Sequence, residues 1–162
     1  FEVMKKRLEA VGLKAEDYFN VFPDPFSSSG IPLVGLAPCG HDPWLKEVKL
    51  PITEVASPPG EMRPHMFAVI ASGQSMIPAG IEEGFIVFCD PDSPLSPGDV
   101  VYVEQQGGAV TIKKFLREEG AYLVLQGWLP PNEQGFQEQH LINLNTARVK
   151  RISPGIYVKR KA

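Results

Sequence analysis

The chain has 162 residues, a formal net charge of −3 and 43% hydrophobic residues. It can therefore bury a core and is not a disordered tail, while its mild acidity lacks the basic excess by which a domain grips nucleic acid on its own. Two cysteines, Cys39 and Cys89, are too few for a disulfide framework and stand in no metal-ligand spacing, so a reducing, cytoplasmic setting without a bound metal is expected.

Residues 1–30 are expected to form an appendage. Val3, Met4, Leu8 and Val11 lie near helical spacing with charges between them, and Gly12 is placed to end a first helix. Pro23, Pro25 and the run Ser27-Ser28-Ser29-Gly30 then break any period and read as a linker. Because the sequence opens on Phe1, a DNA-binding segment is expected upstream.

The texture changes at Ile31. The stretch Ile31 to Gly40 (IPLVGLAPCG) is extended and apolar, suited either to be the first strand of a domain or to lie in a groove and present a bond for cleavage. Beyond it, short runs rich in Val, Ile, Tyr and Phe alternate with turns: MFAVIASG, FIVFCDPD, DVVYVEQQGG, AVTIKKFL, YLVLQG and VKRISPGIYVKR. The apolar run at 66–71 falls far short of the roughly 20 residues a membrane span needs, and no signal-peptide pattern opens the chain, so no membrane contact is expected. Sixteen prolines and fifteen glycines would interrupt a helical bundle but suit a sheet with many turns, and Gln106-Gly107-Gly108 predicts a hairpin. The expected fold class is mostly β over 31–162, with curved or paired sheets.

Two segments carry candidate chemistry. In Ser72-Gly73-Gln74-Ser75-Met76, Gly73 allows a sharp turn after a strand, leaving Ser75 among free backbone amides of the kind that stabilise an oxyanion. A solvent-facing turn serine is the competing reading. In Val110-Thr111-Ile112-Lys113-Lys114-Phe115, alternation places Thr111, Lys113 and Phe115 on one face, so one lysine must share the aromatic side. A lysine held on apolar surface loses its proton readily and can serve as base to a serine, and the Thr111 hydroxyl stands close enough to orient it. Against this, a lysine pair on an edge strand also serves to block aggregation. His41, His65 and His140 are scattered and read as surface or structural. Cys89 reads as core, and Trp44, Trp128, Phe85 and Phe136 as core or groove lining.

Together these segments resemble the S24 peptidase family of LexA, lambdoid phage repressors and UmuD. The serine motif stands here as SGQSMIPAGIEEG, the lysine motif as VTIKKF, and the family's small-residue–Gly cleavage site as Cys39-Gly40, in the family's order and spacing. The resemblance implies an S24/LexA-like C-terminal fold of curved antiparallel sheets. It implies cleavage of the chain's own Cys39–Gly40 bond by Ser75 with Lys113 as neutral base, the main-chain amides of Gln74 and Ser75 holding the oxyanion, and no cofactor. It further implies a homodimer, a RecA–single-stranded-DNA filament as co-protease after DNA damage, and operator DNA bound only through an upstream domain. Two departures stand out. Gly84-Phe85 replaces the family's usual Gly-Asp, and residues 126–136 (QGWLPPNEQGF) are longer than its short Pro-Asn turn.

The leading expectation is thus the self-cleaving, dimerising portion of a damage-responsive repressor. A UmuD-like polymerase accessory protein activated by cleavage is the nearest alternative, and a β binding module with inert Ser and Lys comes from a different class. A signal-peptidase-like enzyme would share the chemistry but needs a membrane anchor.

Overall fold

The computed structural model describes residues 30–39, 45–46, 54–58 and 63–160, with the isolated positions 9, 12–14 and 17. The helical and linker readings of 1–29 fall almost wholly outside the described residues, as do Gly40, His41 and Trp44. At Gly12 the chain turns, its amide donating to the Glu9 carbonyl (3.0 Å).

The described residues form ten strands: β1 (Gly30–Pro38), β2 (Leu45–Lys46), β3 (Glu54–Ala56), β4 (Phe67–Ser72), β5 (Ile86–Cys89), β6 (Val100–Gln105), β7 (Ala109–Glu119), β8 (Tyr122–Trp128), β9 (Gln139–Asn145) and β10 (Val149–Lys159). They form one sheet in the order β3-β1-β4-β5-β10-β6-β7-β8-β9, with β2 added on β7. The mostly-β expectation holds, and every β-rich run named above is a strand. Pairing is antiparallel among the described strands except between β1 and β4, which run parallel from Leu33 opposite Ala68 to Pro38 opposite Ser72. β9 was not anticipated.

The apolar run at 66–71 is explained by β4, which is buried on both faces. Ala68 and Ile70 join one core with Ile31, Leu33, Val55, Ile86 and Phe88, while Phe67, Val69 and Ala71 join a second with Val87, Tyr102, Val110 and Ile112. A strand covered on both sides needs no polar alternation. That second core draws on both β4 and β7, which are distant in strand order, so the sheet must curl to bring them together. A third core, built on Val101, Val103, Phe115, Leu123, Leu125 and Leu144, lies under β6 to β9.

The predicted hairpin joins β6 to β7. Gly107 and Gly108 take φ of 100° and 96°, backbone that costs an L-residue about 1–2 kcal/mol. Gly107→Ala and Gly108→Ala should each lower unfolding free energy by about that amount in urea melts, with no change in denaturant slope.

Candidate active site

β1 and β4 converge on the serine turn. Beyond the last parallel pair, Pro38 with Ser72, the Cys39 amide donates to the Ser72 carbonyl, which extends the ladder by one residue. β4 then ends at Gly73, whose φ of 102° turns the chain away. A short 3-10 turn follows at Ile77–Ala79, with a proline in its first positions. Between them Ser75 is held by its backbone. Its amide donates to the Cys39 carbonyl (2.8 Å), and its own carbonyl accepts from the Trp128 amide at the end of β8 (2.9 Å). Ser75 is buried, as is Cys39.

Lys113 reaches this turn from β7. Its Nζ donates to Ser75 Oγ at 2.8 Å, and its side chain is 0% exposed. Alternation along β7 places Lys113 on the Phe115 face, as the sequence required, while Lys114 is only half-buried. Gly127 on β8 makes room for it. A Cβ built there would lie 2.9 Å from Lys113 Cδ, 3.0 Å from Cε and 3.4 Å from Nζ, so a side chain at 127 would occupy the slot in which the lysine lies.

Burial strips water from the ammonium and lowers the Lys113 pKa from 10.5 to about 8, while the nearby Cys39 sulfur acts weakly the other way. That opposing influence needs a thiolate, and burial pushes the Cys39 thiol up to about 12. At neutral pH the thiol is therefore uncharged, and desolvation decides the lysine. An amine so placed, once deprotonated, can accept the proton of a hydroxyl 2.8 Å away.

The expected site residues are thus brought together in part. Ser75, Lys113 and the Cys39 carbonyl converge. Thr111 is fully buried two positions before Lys113 on the same strand face. Gln74 enters through its carbonyl, which accepts from Gln137 Nε2 (3.0 Å). Gly40 lies outside the described residues. His65 is exposed and bonded to Asp92 (2.6 Å), and His140 lies on β9. Phe85, where the resemblance leads one to expect Asp, is buried in the core that holds Cys39, Met76 and Ile81. Trp128 and the exposed Phe136 line a groove with Ile77 and Pro78. Gly127 and Gln137 were missed by sequence reasoning, because only cross-strand register and loop closure place them here. Among the described residues no cluster of His, Cys, Asp and Glu could hold a metal, and no helix is long and apolar enough to cross a membrane.

A depressed lysine pKa makes stability depend on pH. Between about 8 and 10.5 the unfolded chain binds the Lys113 proton and the folded chain does not, so the contribution of Lys113 to stability grows as pH rises through that window. The buried thiols of Cys39 and Cys89 act in the opposite direction over part of that window, so in denaturant melts the Lys113 contribution, roughly 3 kcal/mol from the shift, should appear as a gain with pH of the unvaried chain relative to Lys113→Met. Parallel pH curves for the two would refute the buried-amine description.

A family model described as Peptidase S24-like matches residues 32–149. The LexA repressors of Lactobacillus gasseri and Lactobacillus johnsonii are each 29% identical to this chain over 126 residues, a match covering 75% of it and 52% of each relative. The chain therefore spans about half the length of these curated relatives.

Proposed function

We infer that this chain cleaves itself, starting from the fact that it belongs to the Peptidase S24-like family. Ser75 is the proposed nucleophile, Lys113 its base, and Cys39–Gly40 the bond broken. One observation carries the reading: Ser75 is engaged on two sides at once, its hydroxyl with the Lys113 amine (2.8 Å) and its amide with the Cys39 carbonyl (2.8 Å). A turn serine with no chemical role has no need of a desolvated amine, nor of a peptide carbonyl placed on its own N–H.

The steps follow from that arrangement. Neutral Lys113 takes the Ser75 hydroxyl proton as Oγ bonds to the Cys39 carbonyl carbon. The carbonyl oxygen becomes an anion facing the Ser75 amide, an electrostatic arrangement of the kind that contributes most to acyl-transfer catalysis. As the carbonyl re-forms, the Cys39–Gly40 C–N bond breaks and the Gly40 nitrogen leaves with the proton held by Lys113. Water then opens the Cys39 ester, Lys113 again moving the proton, to give a Cys39 carboxylate and free Ser75. Thr111 is proposed to orient the amine, and the Gln74 amide to assist at the oxyanion.

Likeness to LexA repressors extends the reading to a transcriptional regulator. On it, this chain supplies self-cleavage and homodimerisation, operator DNA is bound by a further domain, and a RecA–single-stranded-DNA filament promotes cleavage after DNA damage. The buried amine supports such control. With a pKa of about 8, most of it is protonated and idle at neutral pH, leaving a partner something to accelerate.

Incubation across pH 6–11 with mass spectrometry tests this. Products ending at Cys39 and beginning at Gly40 are expected, at a rate independent of protein concentration. That rate should rise about tenfold per pH unit below a midpoint near 8 and level off above it. Ser75→Ala and Lys113→Ala should yield no product, and cleavage surviving either change would refute the assignment. Gly127→Ala, which crowds the lysine, should fold yet cleave roughly 10²-fold more slowly, the scale of effect expected when a reacting group is displaced by about 1 Å.

A further inference from the structure

The peptide unit joining Gln74 to Ser75 is held at both ends. Its N–H donates to the Cys39 carbonyl (2.8 Å). Its C=O accepts from Gln137 Nε2 (3.0 Å), and the same nitrogen donates to the Leu129 carbonyl (2.9 Å). Two carbonyls around one side-chain group settle which end of the Gln137 amide faces them, because only the NH2 end can donate to both. In a planar trans peptide C=O and N–H point in opposite directions, so fixing the carbonyl fixes where the Ser75 N–H aims. A hydrogen bond to the carbonyl also polarises the N–H at the other end.

Gln137 is itself well anchored. It sits half-buried in the loop between β8 and β9, the stretch that runs longer than the resemblance leads one to expect. The side chain of Asn132 pins that loop by accepting from the amides of Gln134 (3.0 Å) and Phe136 (2.9 Å). The Leu129 amide, donating to the Glu138 carbonyl (2.8 Å), closes its base. Within the turn the Gln74 carbonyl also accepts from the Ile77 amide, at a longer 3.3 Å, so Gln137 adds the shorter of the two holds on that carbonyl.

We propose that Gln137 is a positioning residue for self-cleavage, holding the Gln74–Ser75 peptide so that the Ser75 N–H points at the Cys39 carbonyl oxygen as it becomes negative. This rests on the reading that Ser75 attacks Cys39. The longer loop then has a purpose: it carries a side-chain amide onto the far end of the oxyanion-binding peptide. Neither bond of Gln137 involves Lys113, so its contribution is separable from that of the base.

The test is the pH–rate profile of self-cleavage in the full chain for Gln137→Leu and Gln137→Glu, with Ser75→Ala as control and thermal melts alongside. Leu keeps bulk but cannot donate; Glu keeps shape but turns a carboxylate toward two carbonyls. The expected result is the same products, a plateau rate lower by about tenfold, less than the 10²–10³-fold for deleting an oxyanion donor, and an unchanged midpoint. A plateau within twofold of the unvaried chain in a folded variant overturns the proposal, as does a drop accompanied by a shifted midpoint, which would place the effect on the lysine. Should Gln137→Leu melt early, Gln137→Glu is read by the same criteria. An unvaried chain that never cleaves, or a Ser75→Ala chain that does, removes the reading of Ser75 and this proposal with it; a twofold effect removes this proposal alone.

Discussion

A lysine amine removed from water and set against a serine hydroxyl is the constraint around which this fold is organised. An ammonium is among the most expensive groups to bury, and proteins usually answer by pairing it with a carboxylate or leaving it at the surface. Here Lys113 Nζ donates to the neutral Oγ of Ser75, and burial moves the amine toward its uncharged form. The structure accepts a local loss of stability at neutral pH for the sake of a group that sheds its proton easily. Sites that run against stability in this way are more often chemical than architectural, which is why the edge-strand reading of the lysine pair loses its force once Lys113 lies at the centre of the fold.

The second constraint is register. Cys39 reaches the Ser75 amide because β1 runs parallel to β4 and the ladder continues one residue past Pro38. Since side chains alternate with period two, a slip of one residue would turn Ile31 and Leu33 out of their core and move a different carbonyl to the serine. Both are buried, and each contributes roughly 1.5–3 kcal/mol by leaving water. The same apolar residues that make 31–40 look like an ordinary first strand thus fix which carbonyl meets the serine. The first-strand reading of this segment holds, and the presentation of a bond for cleavage belongs to the proposed function.

Much of this was legible in the residues, and the exceptions have physical reasons. The strands around the site announced themselves because β4 and β5 are apolar throughout and β6 to β8 are bounded by turns. Alternation along β7 showed that one lysine had to share the Phe115 face. β9 (QHLINLN) escaped because it is an edge strand with its outward residues in water, including a half-exposed Leu141, so its polar letters hid its pairing. Gly127 looked like a strand glycine and nothing more, since its meaning lies in the Lys113 side chain across the ladder. Gln137 was one polar loop residue among many. The length of the eleven-residue stretch before it was visible in the sequence, but its role depends on where that stretch folds back, and no period in the sequence encodes that.

The Ser75 turn is intrinsically weak, and this explains why so many distant segments meet on it. It follows a glycine in the left-handed region and precedes a 3-10 turn of three residues whose first positions hold a proline and whose N-cap makes no side-chain bond. Within the turn the Ile77 amide holds the Gln74 carbonyl only at 3.3 Å, a weak local hold on where the hydroxyl and amide of Ser75 point. Shorter contacts come from outside: from Cys39 just past β1, Lys113 on β7, Trp128 at the end of β8 and Gln137 in the following loop. A turn oriented by four remote contacts is ordered only when the sheet has curled far enough to bring β1, β4, β7 and β8 together. The geometry on which the proposed attack rests therefore belongs to the folded domain as a whole, and an incompletely folded chain carrying the same motif would not possess it.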